Sequence, residues 1–430
     1  MTEVSELTLT LSQPAQFGDR ARKNFVLSTM EHVPGSVVRG AFAAAWLARY
    51  GPSRPGTPQR KQFLDLFEGG VRFGPLLRDG TEFMSLAVAG HKYDPTGACA
   101  VVDYDRAITD TDPPAYCPDC GSPIERRSGL QGERPVPVRR TSVAIGESGT
   151  AIPGQLFTRE LLHAGQAFRG TLTATPEQQK VLAGLGPVRV GGRRTTHGRA
   201  EVTIRDGGTP PTAQRRPDGD LVIRLRSPGV FTDDHGRPAR EPSPRELERA
   251  LGVPARVVRS WTRWEQAGGW HVASGLPKHQ ELTVSAGSTF QVHPERRVDD
   301  TALRELAARG LGLRRHEGFG ALAPPPFLRP GKAERDAIQD AEAARFTALM
   351  AGVVDLRGLR FDPRTGQLDA KGWRTALSAL RAHADGNDRA TAWLRRSAAE
   401  HPDAGVRAGL EFFLGLPAED AAYVAGELSR

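Results

Sequence analysis

The sequence is short of cysteine, with three residues in 430, and of lysine, with seven. Three thiols cannot build a disulfide framework for a chain of this length, so a stapled secreted fold is excluded. No apolar run approaches the roughly 20 residues that a membrane span requires. The N-terminus carries no leader pattern of basic residues followed by an apolar stretch. The expectation is a cytoplasmic protein without a membrane partner. Tyrosine and methionine are scarce too, at five and four.

Arginine, glycine and proline are abundant. There are 58 lysines and arginines against 50 acidic residues, a formal charge of +8, with 48 glycines and 33 prolines. The scarcity of lysine makes nearly all of the positive charge guanidinium, whose planar fork suits phosphate oxygens. A GC-rich codon bias would inflate Arg, Ala, Gly and Pro together and explains much of the amount. It does not explain where the arginines fall. At this length two or three domains are expected, each with its own core.

Two stretches share one plan. Residues 310–322 interleave glycines with apolar residues around Arg314, Arg315 and His316, followed by Phe319. Residues 190–202 repeat it with Arg193, Arg194, His197 and Arg199, one residue longer between the arginine pair and the next glycine. In this alignment Gly198 and Ala200 answer to Gly318 and Gly320. Glycine runs let backbone N–H groups approach an anion closely. The arginines would grip phosphates and Phe319 would offer a face to a base. The plainer reading is a pair of tight turns with solvated arginines. Each copy follows a helix-like segment (176–185, 299–309), so a supersecondary unit used twice is expected.

Along the chain, residues 7–11 alternate as a half-buried strand. A loop at 12–28 carries Arg20, Arg22 and Lys23. Ser36 reads as the N-cap of a helix with Val38, Phe42, Ala45 and Trp46 on one face. Arg39 in its first turn, beside a helix N-terminus, makes a candidate phosphate site; pairing with a local carboxylate is the plain alternative. Strands at 137–145, 155–162 and 167–175 and the helix at 176–185 complete a βαββαβ order. After a linker at 206–218 the order restarts, with a serine-capped helix at 243–251 and strand-like stretches at 261–272 and 281–293. Trp261, Trp264 and Trp270 suit either base stacking or, more commonly, a half-buried sheet face.

Residues 71–145 read as an insertion holding all three cysteines. The Cys117-Pro-Asp-Cys120-Gly knuckle aims two thiolates at one point, and Cys99 and His91 are the nearest further ligands. A structural zinc on Cys99, Cys117, Cys120 and His91 is expected. The alternatives are a vestigial knuckle and a redox pair. From residue 330 the chain turns Ala-rich and helical, with Trp373, Leu377 and Leu380, then Val406, Leu410 and Phe413, at i, i+4, i+7. The expected fold is α+β: two ferredoxin-like (RRM-like) βαββαβ units in tandem, at 1–210 and 219–329. A zinc-knuckle insertion and a helical interaction domain at 330–430 complete it.

The stretch Pro34-Gly-Ser-Val-Val-Arg-Gly-Ala41, taken with Gly318-Phe-Gly-Ala321, resembles the repeat-associated (RAMP) superfamily of CRISPR-associated proteins. With residues 286–290, 268–270 and the knuckle, it looks most like the Csx-ten-like subunit (Cas-five group) of type III-D effector complexes. The resemblance spans roughly residues 5–325. It implies a non-catalytic subunit that holds the 5′ tag of a guide (CRISPR) RNA and meets target RNA only indirectly. Its neighbours would be the large polymerase-like subunit and RAMP backbone subunits. Ser36 and Arg39 would bind backbone phosphates, and both arginine–glycine loops would line the tag. Two other functions compete. One is a metal-independent endoribonuclease using His32, His197 or His316 as acid or base. The other is a basic protein-interaction scaffold.

Overall fold

The computed structural model describes residues 3–23, 26–93, 99–109, 112–192, 196–271, 276–329, 331–360 and 370–428. It divides into two compact units, Met1–Arg329 and Pro330–Arg430.

The first unit begins with β1 (Glu3–Leu11), whose Leu7, Leu9 and Leu11 are buried while the residues between them face the other way. The expected loop at 12–28 is instead a hairpin, β2 (Gly18–Lys23) with β3 (Val26–Thr29). Helix α1 (Gly35–Tyr50) packs Val38, Ala41, Phe42 and Trp46 into the core. Its N-cap is Pro34, with no side-chain cap bond, so Ser36 lies inside the first turn rather than capping it. Then come α2 (Pro58–Phe67), capped by Thr57, and β4 (Arg72–Phe73).

The chain returns after the insertion through β5 (Val138–Ile145), β6 (Ala151–Leu161) and β7 (Ala167–Ala174). Helix α3 (Pro176–Ala183) follows, started by a Thr175–Gln178 capping box, then β8 (Val188–Arg189) and β9 (Arg199–Asp206). The main sheet runs β8-β9-β1-β7-β4 with antiparallel neighbours throughout. The first strand therefore sits between the last and the third. A second sheet runs β5-β6-β3-β2.

The same order recurs downstream. Strand β10 (Leu221–Arg224), helix α4 (Pro244–Leu251) with its Ser243 cap, β11 (Ala255–Trp261), β12 (Thr289–Pro294) and α5 (Asp300–Arg309) follow one another. β12 lies between β10 and β11, again antiparallel. Residues 321–323 take the place beside β10, through Arg226 N–H to Ala321 O at 2.7 Å and Ala323 N–H to Arg224 O at 2.8 Å.

Short strands of the insertion fold over the open face of this second sheet. Leu86, Ala87 and Ala107 pack on Val222 and Trp261, and Leu86 N–H donates to Gly287 O at 2.7 Å. The Arg224 guanidinium meets Asp105 at 2.5 Å with both side chains buried. Trp261 is only 6% exposed and serves the core, not base stacking. Trp264 is half-buried beneath Arg240. The Trp270 side chain lies outside the described residues.

The second unit is helical: α6 (Lys332–Gly352), α7 (Ala370–Ala384), α8 (Asp388–Glu400), α9 (Ala404–Leu414) and α10 (Ala418–Glu427). Leu380, Leu394, Val406, Leu410, Phe413 and Val424 form its core. Among the described residues, no helix is long and apolar enough to cross a membrane.

Candidate nucleic-acid interface and candidate metal centre

The two glycine loops are structural equivalents. Val190 N–H donates to Gly198 O at 2.8 Å, and Leu311 N–H to Gly320 O at 2.9 Å. Each loop docks on the segment that follows its half's first strand. Gly192 N–H reaches Gln16 O and Gly198 N–H reaches Pro14 O, while Leu313 N–H reaches Val230 O and Gly320 N–H reaches Pro228 O. Beneath them Phe17 meets Phe168 edge-on, and Phe231 meets Phe290 in the same way. Gly198 thus corresponds to Gly320, not to Gly318 as the spacing of glycines suggested. Both have positive φ, and a Cβ at either would lie within 2.0 Å of a backbone oxygen. Pro14-x-x-Phe17 and Pro228-x-x-Phe231 are the sequence signal that marks these two equivalent docking segments.

The loops differ in what surrounds them. The downstream loop is closed by its own charges. Arg314, the one non-glycine residue of positive φ among those described, meets Glu317 at 2.9 Å, also pairs with Glu281, and stacks on Phe319. Burial alone would raise the Glu317 pKa, but Arg314 and Lys278 outweigh it and hold it at about 2. Arg314 and Phe319, expected to face RNA, are occupied with each other and with carboxylates. His316 lies near Glu68; burial and then Arg39 hold its pKa below the usual imidazole value, so it is neutral at pH 7. Arg39 donates to Phe67 O at 2.7 Å and pairs with Glu68, tying α1 to the end of α2. That is the local-carboxylate alternative to a phosphate role. Arg315 is half-buried near Arg72, whose guanidinium is acidified by burial and then by Arg315 and Arg309.

The upstream loop borders open space. A cavity of about 300 Å³ is lined by Gln16, Arg140, Ser142, Arg159, Gly192, Thr196 and His197. Arg140 and Arg159 are direct cross-strand partners on β5 and β6, and their side chains share one face. Both guanidiniums line the cavity, and Arg159 also lies over the Phe157 ring at 5.0 Å. The His197 Nδ1 and Thr196 Oγ1 lie 2.8 Å apart, which directs the imidazole. Arg199 is exposed on β9 nearby in sequence. Arg193 and Arg194 lie outside the described residues. Arg22 and Lys23 sit on β2 opposite Leu27 and Val26, in the same sheet, with side chains outside the described set. Sequence reading missed Arg140 and Arg159, because only folding places them opposite each other.

The three histidines considered for acid–base chemistry occupy separate surroundings. His32 packs edge-on against Phe83, His197 lines the cavity, and His316 faces Glu68.

In the insertion, His91, Cys99, Cys117 and Cys120 bring their ligand atoms within 4.8 Å of one another. Cys117 and Cys99 Sγ are 3.7 Å apart. Two thiolates at the usual Zn–S distance of about 2.3 Å in a tetrahedron would stand about 3.8 Å apart. His91 is fully buried; its Nδ1 lies 3.1 Å from Val102 O while its Nε2 has no hydrogen-bond partner. A buried imidazole nitrogen without a partner, fixed by a carbonyl at the other nitrogen, is how a metal-ligating histidine is held. A hydrogen bond with Cys120 pushes the Cys99 thiol up to about 12, while Ser122 draws Cys120 down to about 6. The donor set fits a structural zinc.

No protein-family model matches the chain, and no curated protein matches its sequence. Among solved structures it is similar to a chain of Type III-B Cmr-beta bound to cognate target RNA, at 9% identity and a TM-score of 0.39. That match covers 76% of this chain and 99% of the other. It is also similar to the CRISPR-associated protein Cas6, at 10% identity and a TM-score of 0.32, covering 76% and 100%. A Thermus thermophilus Cas6 matches at 12% identity and a TM-score of 0.33, covering 76% and 98%. With every score below 0.5 the likeness is a loose one.

Proposed function

We propose that this chain is a non-catalytic RNA-binding RAMP subunit of a type III CRISPR effector complex. In this reading its two βαββαβ halves are tandem ferredoxin-like units, and the cavity beside the upstream loop holds the sugar–phosphate chain of a guide RNA. The observation that carries it is the opposed pair Arg140 and Arg159 over a cavity shared with Ser142, Thr196 and His197. Hydroxyls and an imidazole supply further donors to phosphate oxygens. Arg193, Arg194 and Arg199 extend the same positive stretch in sequence, and Arg22 and Lys23 share the sheet. The downstream loop, closed by Glu317 and Glu281, then braces the fold and leaves RNA contact to its twin.

A structural zinc would be held by His91, Cys99, Cys117 and Cys120. When bound, it would cross-link the insertion; the chain's own residues orient the site through Val102 and Ser122. The large polymerase-like subunit and RAMP backbone subunits are the partners this role requires, and the cytoplasm is the compartment. The dispersal of His32, His197 and His316 among different neighbours supports binding over cleavage, because general acid–base catalysis needs groups converging on one phosphodiester.

The test is a titration of labelled single-stranded repeat RNA against salt with the full chain. Each phosphate contact contributes about 0.7 to the log–log slope. Arg140→Gln with Arg159→Gln is expected to weaken binding at least tenfold and flatten the slope by about 1.4. An unchanged slope would remove the cavity from the RNA path. Cleavage of that RNA without metal, lost in His197→Ala or His316→Ala, would replace the reading with the endoribonuclease.

A further inference from the structure

We infer that the helical unit carries a second single-stranded nucleic-acid surface, on the outward face of α8. Residues Arg389, Trp393 and Arg396 recur at i, i+4 and i+7 on α8. At 100° per residue they fall within an arc of about 60°, on the side away from the buried Leu394 and Ala398. All three are exposed, the indole by 40%. On α7, Arg374 and Arg381 are likewise exposed and seven residues apart. Arg395 lies near His383 of α7; burial first, then that guanidinium, lowers the His383 pKa. His383 Nδ1 also lies 2.8 Å from Thr391 Oγ1, so this side of α7 faces α8, while Arg374 and Arg381 fall about 160–180° round α7, on its far side.

Among the described residues, no carboxylate lies within 4 Å of Arg374, Arg381, Arg389, Arg395 or Arg396. Other arginines of the unit are engaged. Arg345 pairs with Asp420, and Arg407 donates to the carbonyls of His401 and Pro402 at 2.7 and 3.0 Å. Residues 370–400 hold six basic and three acidic side chains, whereas 404–427 hold one and four. A codon bias raises the number of arginines everywhere; it does not sort charges to opposite helices. Unneutralised guanidiniums repel one another and are tolerated where a polyanion meets them.

The occupant is a nucleic-acid strand, because the stripe combines forked cations with an exposed flat ring. Guanidinium forks match phosphate oxygens, and an indole between them stacks on an unpaired base. An acidic protein partner would use the arginines but would gain little from an exposed indole flanked by charge.

The test uses the full chain and a labelled 20-nucleotide oligouridylate in a fluorescence anisotropy titration at several salt concentrations. Arg389→Gln with Arg396→Gln is expected to lower the log–log slope by about 1.4, two contacts' worth. Trp393→Ala is expected to weaken binding about tenfold and Trp393→Phe to restore most of it, as stacking predicts. Arg407→Gln, whose guanidinium is bound to carbonyls, should leave affinity unchanged. These side chains point outward, so the variants should keep the parent's thermal midpoint. An unchanged slope in the double variant would overturn the proposal, as would polyglutamate displacing the oligonucleotide at equal charge concentration. The Arg140/Arg159 variant run alongside reports on the first unit separately. Loss in one pair without the other tells which surface fails.

Discussion

Gly35 and Gly318 lie back to back: a Cβ on Gly35 would stand 2.8 Å from the Gly318 Cα, and a Cβ on Gly318 2.7 Å from the Gly35 Cα. Both would also strike Phe73 O, at 2.1 and 2.3 Å. The start of α1 and the downstream loop therefore touch backbone to backbone, and only residues without side chains allow it. Gly318 carries the further demand of φ +86°. Gly318→Ala is expected to destabilise the first unit by about 2–4 kcal/mol, through overpacking and backbone strain together. Gly40→Ala, with open space around it and a helical position in α1, should be neutral or stabilising. Equal thermal midpoints for the two variants would contradict this account.

The metal centre makes a prediction with a chemical readout. His91→Ala removes one of four ligands and should lower zinc affinity more than tenfold, with metal content by elemental analysis falling accordingly. A strong chelator should lower the thermal midpoint of the parent protein and leave that of His91→Ala little changed. A parent preparation that contains no zinc, and whose midpoint does not respond to added zinc, would count against the centre.

Local pattern told much of this fold. The Leu7, Leu9, Leu11 alternation, the Ser243 cap and the strands at 138–145 and 167–174 are each written in a few adjacent residues. The Cys117–Cys120 knuckle announced itself by spacing, and Cys99 and His91 do join it. What stayed hidden depends on distance along the chain. Arg314 pairs with Glu317 inside its own loop, but also with Glu281, 33 residues upstream, and that second carboxylate could not be read from the loop. Gly318 belongs to the contact with Gly35 rather than to the loop closure, which misaligned the two copies by two residues. Trp261 is covered by Leu86 and Ala107 from an insertion more than 150 residues away. The β2–β3 hairpin lacked a turn signal strong enough to read.

The seam between the insertion and the second sheet rests on a buried ion pair. The side chains of Arg224 and Asp105 are 3% and 6% exposed, and Arg224 also donates to Gln214 at 2.9 Å. Burial lowers the Arg224 pKa and Asp105 opposes that effect. Arg224→Met would leave Asp105 buried without its cation, at a cost of about 3–5 kcal/mol. Replacing both, as Arg224→Met with Asp105→Leu, should recover most of the loss, because no lone charge remains. Denaturant unfolding of the three proteins measures it. A double variant no better than Arg224→Met would show that the pair's other hydrogen bonds, not its charge, hold the seam.

The downstream loop should make stability fall in acid over a defined range. Glu317 is mostly buried, bonded to Arg314 and to Lys278 at 2.7 Å, and its carboxyl is held at about 2 against a usual 4.5. A carboxylate with a depressed folded pKa stabilises the protein fully above its unfolded pKa and loses that contribution as the pH falls through the folded one. The window therefore runs from about pH 4.5 down to about pH 2. Its depth is on the order of 2 kcal/mol once solvent screening is discounted. Glu317→Gln keeps the shape but not the charge, so it should be less stable than the parent at pH 7 and converge with it near pH 2. Arg314 would lose one carboxylate and keep Glu281, which limits the loss at neutral pH. Unfolding free energies at several pH values between 2 and 7 give the slope directly. Parallel curves for parent and variant would show that Glu317 is not the group whose protonation loosens the loop.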